Sequence, residues 1–76
     1  MADIAASTIT AEEMAAIPEI HRAPLAKLAD GLTYRQIASD LGLKIGTVRS
    51  RINRGRAAVA KARARRANQE EIIDAG

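Results

Sequence analysis

Apolar residues recur at helical spacing along most of the 76-residue chain, and no stretch alternates polar and apolar positions as a strand would. The pattern predicts helices throughout. The segment TAEE reads as a capping box that joins Thr10 to Glu13 and opens a first helix. That helix should continue to about Ile17, because Pro18 cannot extend it.

A second helix is predicted from about Ile20 to Asp30, with Gly31 as its stop. Pro24 is awkward within this span. Proline is best tolerated in the first turn of a helix, where the backbone N–H has no partner in any case. We therefore expect this helix to begin late, near residues 21 to 23, or to kink at Pro24.

The third helix should span Tyr34 to Leu41, because Thr33 is a good N-cap and Gln36 occupies the capping-box position. The LGL segment that follows predicts a tight turn in which Gly42 takes a positive φ. Ala38 is small, so the next helix can approach this one closely. A helix-turn-helix is the expected result.

A fourth helix should begin between Ile45 and Thr47 and run to Asn68 or further, since no proline follows and the AAVAKARARRA segment favours helix. Its predicted inward face is Val48, Ile52 and Val59, with Gly55 between them. Val48 should pack back on the third helix against Ile37, Ala38 and Leu41.

These elements predict an all-α fold: a small three- to four-helix bundle that contains a helix-turn-helix and has an extended C-terminal helix. Residues 1–9 carry no period and are expected to form a flexible N-terminus. Residues 10–66 form the predicted helix-turn-helix domain, with the motif at about 33–55. Residues 67–76 form a C-terminal helical tail.

The charges are segregated along the chain. Nine of the twelve basic residues lie between positions 44 and 66, and no Asp or Glu lies among them. The acids flank this segment on both sides. Such segregation is typical of a chain whose partner is a polyanion.

If Val48 and Ile52 face inward, the polar residues of the fourth helix point outward at 100° per residue. Arginine can bind guanine through two hydrogen bonds, and asparagine can bind adenine likewise, so Arg49, Asn53 and Arg54 are candidates for reading bases in a major groove. Hydroxyl groups and free backbone N–H groups at a helix start suit phosphates. The full predicted DNA-binding set is Lys44, Thr47, Arg49, Ser50, Arg51, Asn53, Arg54 and Arg56.

The segment DGLTYRQIASDLGLKIGTVRSRINRGRAAV resembles region 4 of bacterial sigma factors, especially the extracytoplasmic-function group, and more distantly the LuxR-type helix-turn-helix. The specific signature is IA…LG followed by GTVRSRI, and the resemblance covers about residues 17 to 60. It implies a recognition helix at about residues 46–57 that enters the major groove of a −35 promoter element. It also implies contact with the RNA polymerase flap.

By the same resemblance, the DNA-facing residues are Lys44, Thr47, Arg49, Ser50, Asn53 and Arg54. The chain contains no counterpart of sigma region 2, which binds core polymerase and melts the −10 element. We therefore expect a stand-alone DNA-binding regulator of transcription rather than a complete sigma factor.

Other functions find little support in the residues. The chain has no cysteine and a single histidine, His21, so we expect no metal site, and no motif predicts a cofactor or an active site. No apolar run reaches the roughly 18 residues of a membrane span. We expect a cytoplasmic protein that is not an enzyme.

Three questions stay open at this level. The domain could instead be an adaptor or inhibitor that binds RNA polymerase or a sigma factor, or it could bind RNA through KARARR. A weak heptad seam on the last helix favours either a homodimer or packing within the chain. Ile72 and Ile73, the only large apolar residues after Val59, favour one of these contacts.

Overall fold

The computed structural model describes residues 4–75, with side chains described for residues 4–68. It contains a short 3-10 helix at Ala6–Thr8 and four α-helices. Within the described residues there is no strand, and the predicted all-α bundle with a long C-terminal helix is confirmed. The α-helices are α1 (Ala11–Ala15), α2 (Glu19–Ala29), α3 (Tyr34–Leu41) and α4 (Ile45–Ala75).

Helices α1 and α3 both begin at the predicted capping boxes. In α1, the Glu13 N–H donates to Thr10 Oγ1 (3.1 Å), and the Thr10 N–H donates to Glu13 Oε1 (2.9 Å). In α3, the Gln36 N–H donates to Thr33 Oγ1 (3.1 Å), and the Thr33 N–H donates to Gln36 Oε1 (2.8 Å). Each box satisfies two N–H groups that a helix start otherwise leaves without partners.

Helices α2 and α3 each end in a turn of the same hydrogen-bonded type. Gly31 has φ +98° and Gly42 has φ +65°, both in the left-handed region that favours glycine. The next residue's N–H reaches back five positions in each case: Leu32 to the Lys27 carbonyl (3.1 Å), and Leu43 to the Ala38 carbonyl (2.9 Å). This is a Schellman arrangement, and the positive φ predicted for Gly42 is confirmed.

The late start expected for α2, near residues 21 to 23, is not observed. The helix begins at Glu19 directly after Pro18, so Pro24 is its sixth residue and lies in the interior. An interior proline costs about 3 kcal/mol because it removes one backbone hydrogen bond and crowds the preceding turn. Here Pro24 is buried beside Leu25, which is fully buried, so packing offsets the local penalty.

The core forms where α2 and α4 cross, closed on one side by α3. Leu25, Ile37, Val48 and Ile52 have no exposed surface, and Val59 is 2% exposed. The inward face predicted for α4 is therefore observed. Gly55 allows the two helices to approach, since a Cβ atom there would lie 3.0 Å from Leu25 Cδ2 and 3.4 Å from the His21 carbonyl oxygen.

Residues 4–9 of the segment expected to be flexible contact the rest of the bundle. Ala6 is 6% exposed, and Ile4 and Ile9 pack against the core. The 3-10 helix lies on α2. Three apolar residues at irregular spacing have no helical or strand period, which is why the pattern did not reveal them. Residues 1–3 of the predicted flexible segment lie outside the described residues.

Helix α4 extends well past the bundle. Its 31 residues span about 45 Å, and the molecule measures 50 × 19 × 19 Å. Val59 is its last buried residue among those described, and residues 64 to 68 are all exposed. The contact expected of Ile72 and Ile73 lies outside the described side chains. No described helix is both long and apolar enough to cross a membrane.

Candidate nucleic-acid interface

Helices α3 and α4 form a helix-turn-helix around the three-residue turn at positions 42 to 44. The Val48 N–H donates to the Lys44 carbonyl (3.0 Å), so helical hydrogen bonding begins at Lys44. Val48 and Ile52 lie fully buried on one side of α4 and fix its rotation about its own axis. The opposite side of its first three turns must then face solvent.

The predicted DNA-binding residues divide into two groups by exposure. Five of them lie on the open side of α4 or at its start and are exposed: Lys44, Arg49, Ser50, Asn53 and Arg54. Three lie at the edges, where the helix meets the bundle, and are half-buried: Thr47, Arg51 and Arg56. The exposed group forms one basic face, which we call the open face of α4.

No acidic side chain among residues 4–68 forms an ion pair with an arginine of the open face. The ion pairs of this part of the chain involve Arg22, Lys27 and Arg63 instead. A concentration of positive charge that the fold does not neutralise attracts an anionic partner and raises the rate at which it associates.

Tyr34 is a neighbour of the open face that sequence reasoning did not assign to the site. The Arg49 guanidinium carbon lies 5.7 Å from the centroid of the Tyr34 ring, which is within the range of a cation–π interaction. Tyr34 is the first residue of α3, while Arg49 lies in the second turn of α4. The turn between the helices brings the two together, and no spacing rule within one helix would have found the pair.

Arg56 differs from the arginines of the open face. It is half-buried, and its Nε atom is enclosed without a hydrogen-bond partner among the described residues. The stem of the side chain therefore runs against the protein, as long basic side chains commonly do.

Arg63 stabilises the fold and does not belong to the open face of α4. Its Nε and one terminal nitrogen donate to the two carboxylate oxygens of Glu13 at 2.7 and 2.9 Å, and the same terminal nitrogen donates to the Thr8 carbonyl (3.2 Å). This bidentate pair ties α1 and the 3-10 helix to α4 across 50 positions of sequence. The basic segment, residues 44–66 with its nine basic side chains, therefore contains at least one arginine that pairs with an acid of the same chain.

The groups around Glu13 lower the pKa of its carboxyl group strongly. The hydrogen bond from Arg63 lowers the pKa of Glu13 from 4.5 to about 2, and the Thr10 N–H contributes in the same direction. The pKa of Arg63 is raised in turn, chiefly by its hydrogen bond to Glu13. The pair is therefore fully ionised at neutral pH.

Apart from Arg63, the basic residues of α4 beyond Val59 are exposed to solvent. Lys61, Arg65 and Arg66 are exposed, and an apolar groove between α1 and α4 lies beside Lys61 and Arg65. Its floor is formed by Ile17 and Val59.

No cluster of three or more metal-binding side chains occurs in the part of the chain that the structure describes.

Comparison with known proteins agrees with this geometry. Residues 10–59 match the family model described as Sigma-70, region 4. A segment of 39 residues is 51% identical to the "ECF RNA polymerase sigma factor SigE" of Mycolicibacterium smegmatis. That alignment covers 51% of this chain but only 15% of the relative, so the chain matches a small part of the longer protein. No solved structure shows significant similarity to the chain.

The matched residues include α1, α2, α3 and the buried part of α4, which together make up the bundle and its helix-turn-helix. The resemblance noted in the sequence is confirmed, and the chain belongs to the sigma-70 region 4 family.

Proposed function

We propose that the chain is a sequence-specific regulator of transcription that binds double-stranded DNA through the open face of α4. One observation carries the proposal: Val48 and Ile52 are fully buried, which turns Arg49, Asn53 and Arg54 outward on a helix of suitable width for a major groove. Family membership supports the same use of this helix. Such a regulator acts in the cytoplasm of a bacterial cell.

The exposed side chains suggest a division of labour within the recognition helix, residues 46–57. Arg49, Asn53 and Arg54 have the donors and acceptors needed to read base edges. Lys44, Thr47, Ser50 and the free N–H groups at the start of α4 suit phosphate oxygens. Arg51 and Arg56, which are half-buried at the edges, could reach only the DNA backbone beside the groove.

A salt titration of duplex binding tests the proposal. Because phosphate contacts release counterions, the logarithm of the affinity should fall linearly with the logarithm of salt concentration. Arg49→Ala and Asn53→Ala should remove the preference for a selected target over random DNA, since each lost base contact costs about 1–3 kcal/mol of discrimination. Arg65→Ala is the matched control, because Arg65 is an exposed arginine of the same helix outside the open face.

Failure to bind any duplex at low salt would refute the proposal. Equal loss of discrimination in Arg65→Ala and Arg49→Ala would also refute it, because the effect would then be one of total charge. Competition between duplex DNA and structured RNA for one labelled protein separates the RNA-binding alternative. The structure favours RNA binding less than the sequence did, because Arg63 of the KARARR tract is bound to Glu13 and is not available for RNA.

A second candidate function is that of an adaptor or inhibitor that binds RNA polymerase. It is favoured by the likeness to a relative named as an RNA polymerase sigma factor, and an activator could combine both activities. A pull-down with polymerase discriminates between them. Capture that survives nuclease treatment and the triple change of Arg49, Asn53 and Arg54 to alanine supports the adaptor function.

The assembly state forms part of the proposal. A single helix-turn-helix buries little DNA surface and binds weakly, so a homodimer or attachment to another DNA-bound protein is expected to strengthen the complex. The far part of α4, exposed from residue 64 to residue 68, is available for either contact. Mass measurement in solution, with and without a selected duplex, distinguishes two copies on a palindromic site from one copy on an asymmetric site.

A further inference from the structure

Tyr34 is held firmly at the edge of the open face. It follows Thr33, the N-cap residue of α3, so the backbone that carries its ring begins at a fixed helix start. The ring is half-buried and packs against the hydrophobic core. Tyr34 is also the only aromatic residue in the chain. Its ring is therefore a fixed surface beside the recognition helix.

Arg49 contacts this ring and remains exposed. A cation–π interaction uses the charge of the guanidinium group and the face of the ring, and it consumes none of the N–H donors of the arginine. The donors that bind guanine are thus still available while the side chain is held. An arginine that is free in solution must lose the freedom of several rotatable bonds on binding, and this ordering weakens the complex.

We propose that Tyr34 is a positioning residue that holds the Arg49 guanidinium in place before DNA arrives. This inference rests on the proposed function, in which Arg49 reads a base. Tyr34 touches Arg49 through the face of its ring and lowers the ordering cost of the contact. Among the described residues, Arg49 is the arginine that makes a cation–π contact with the Tyr34 ring, and Arg54 makes none.

The free protein offers a test that does not depend on DNA. The ring current of Tyr34 should move the NMR signals of the Arg49 side-chain protons upfield relative to those of Arg54. Tyr34→Leu keeps the apolar packing of the position and should abolish the difference, whereas Tyr34→Phe should preserve it. Indistinguishable Arg49 and Arg54 shifts in the unaltered protein would overturn the inference without any variant.

A double-mutant cycle on duplex affinity tests the consequence for binding. Tyr34→Leu should weaken binding about two- to fivefold, the size expected of an exposed cation–π interaction. Tyr34→Phe should restore the affinity, since phenylalanine retains the ring face. In an Arg49→Gln background Tyr34→Leu should cause no further loss, and in the matched Arg54→Gln background it should cause the full loss.

The outcomes separate this inference from the function on which it rests. If Arg49→Gln weakens binding but Tyr34→Leu does not, DNA binding stands and the positioning role is overturned. If Tyr34→Leu causes the same loss with and without Arg49, Tyr34 contacts DNA itself and the positioning role is again overturned. If Tyr34→Leu strengthens binding, the ring holds Arg49 away from the groove, which contradicts the inference directly.

Discussion

The two halves of α4 carry similar numbers of basic residues but have different surroundings. In the packed half, residues 45–59, buried side chains fix which face of the helix meets solvent. In the projecting half, residues 60–75, no described side chain is fully buried, so its basic side chains have no core behind them. The comparison shows that charge density alone does not define a recognition surface. A basic helix becomes specific when its opposite side is anchored.

The arginines of α4 also differ from one another in their surroundings. Arg49 lies against an aromatic ring on the open face, Arg56 runs along the protein, and Arg63 holds the N-terminal segment to the bundle. All three belong to one continuous basic stretch of sequence. Their roles differ because different elements pack beside each turn of the helix. Substitutions that separate the two halves should therefore have effects of very different size.

The largest effect is expected from Ile52→Ala, which removes a fully buried side chain that anchors the packed half. Such truncations cost about 2–5 kcal/mol, through lost burial and the cavity left behind. In a small domain this is a large share of the free energy of unfolding. Urea denaturation measures it. Arg65→Ala in the projecting half is the control and should change the stability by less than about 0.5 kcal/mol. Equal losses would mean that the packed half is not anchored as described.

A smaller effect should separate two glycines of the packed half. Gly55→Ala places a Cβ atom 3.0 Å from Cδ2 of the fully buried Leu25, so the Leu25 side chain must shift or the helices must move apart, at a cost of about 1–3 kcal/mol. Gly46→Ala meets no atom within 4 Å and should stabilise the helix by up to about 1 kcal/mol, since alanine favours helix more than glycine does. Thermal unfolding of both variants measures the difference. A stabilising Gly55→Ala would show that α2 and α4 approach less closely.

The smallest effect concerns the ion pair between Glu13 and Arg63 and appears as a pH dependence. The pKa of Glu13 is about 2 in the folded chain and about 4.5 when unfolded, so the unfolded state binds the proton more readily. The stabilisation is complete above pH 4.5 and is lost as the pH falls toward 2. Glu13→Gln can still accept the Thr10 N–H, so it removes the charge and keeps the cap.

The measurement is the midpoint of urea unfolding between pH 7 and pH 2. The midpoint should fall more steeply with acid in the unaltered chain than in Glu13→Gln, and the two curves should approach each other near pH 2. Parallel curves over the whole range would contradict the depressed pKa. Glu12→Gln is a suitable control, because Glu12 is exposed and lies beside Glu13 on the same helix.

Features that depend on a few neighbouring residues could be predicted from the sequence. The capping boxes at Thr10 and Thr33 each span four positions, and the left-handed turn at Gly42 is a property of glycine. The buried face of α4 follows from helical spacing alone. Because successive side chains of a helix are 100° apart, residues away from the buried face must be exposed, and these include Arg49, Asn53 and Arg54.

The rest depends on contacts between distant parts of the chain. Pro24 is accepted inside α2 because tertiary packing outweighs a local penalty, and no local rule measures that balance. Arg63 meets Glu13 across 50 positions, and Tyr34 meets Arg49 across the turn of the motif. The sequence showed where the charge was concentrated, but the division of that charge between the fold and the open face needed the structure.

Chemical-shift mapping with a duplex tests the central claim most directly, because it compares the two halves of α4 in one experiment. A selected duplex should be titrated into labelled protein while the backbone amide signals are followed. The account predicts that the largest shifts fall between residues 44 and 56, with little change from residue 60 to residue 68. Shifts concentrated in the projecting half would contradict it, because DNA would then be bound by the basic side chains beyond the core and not by the open face.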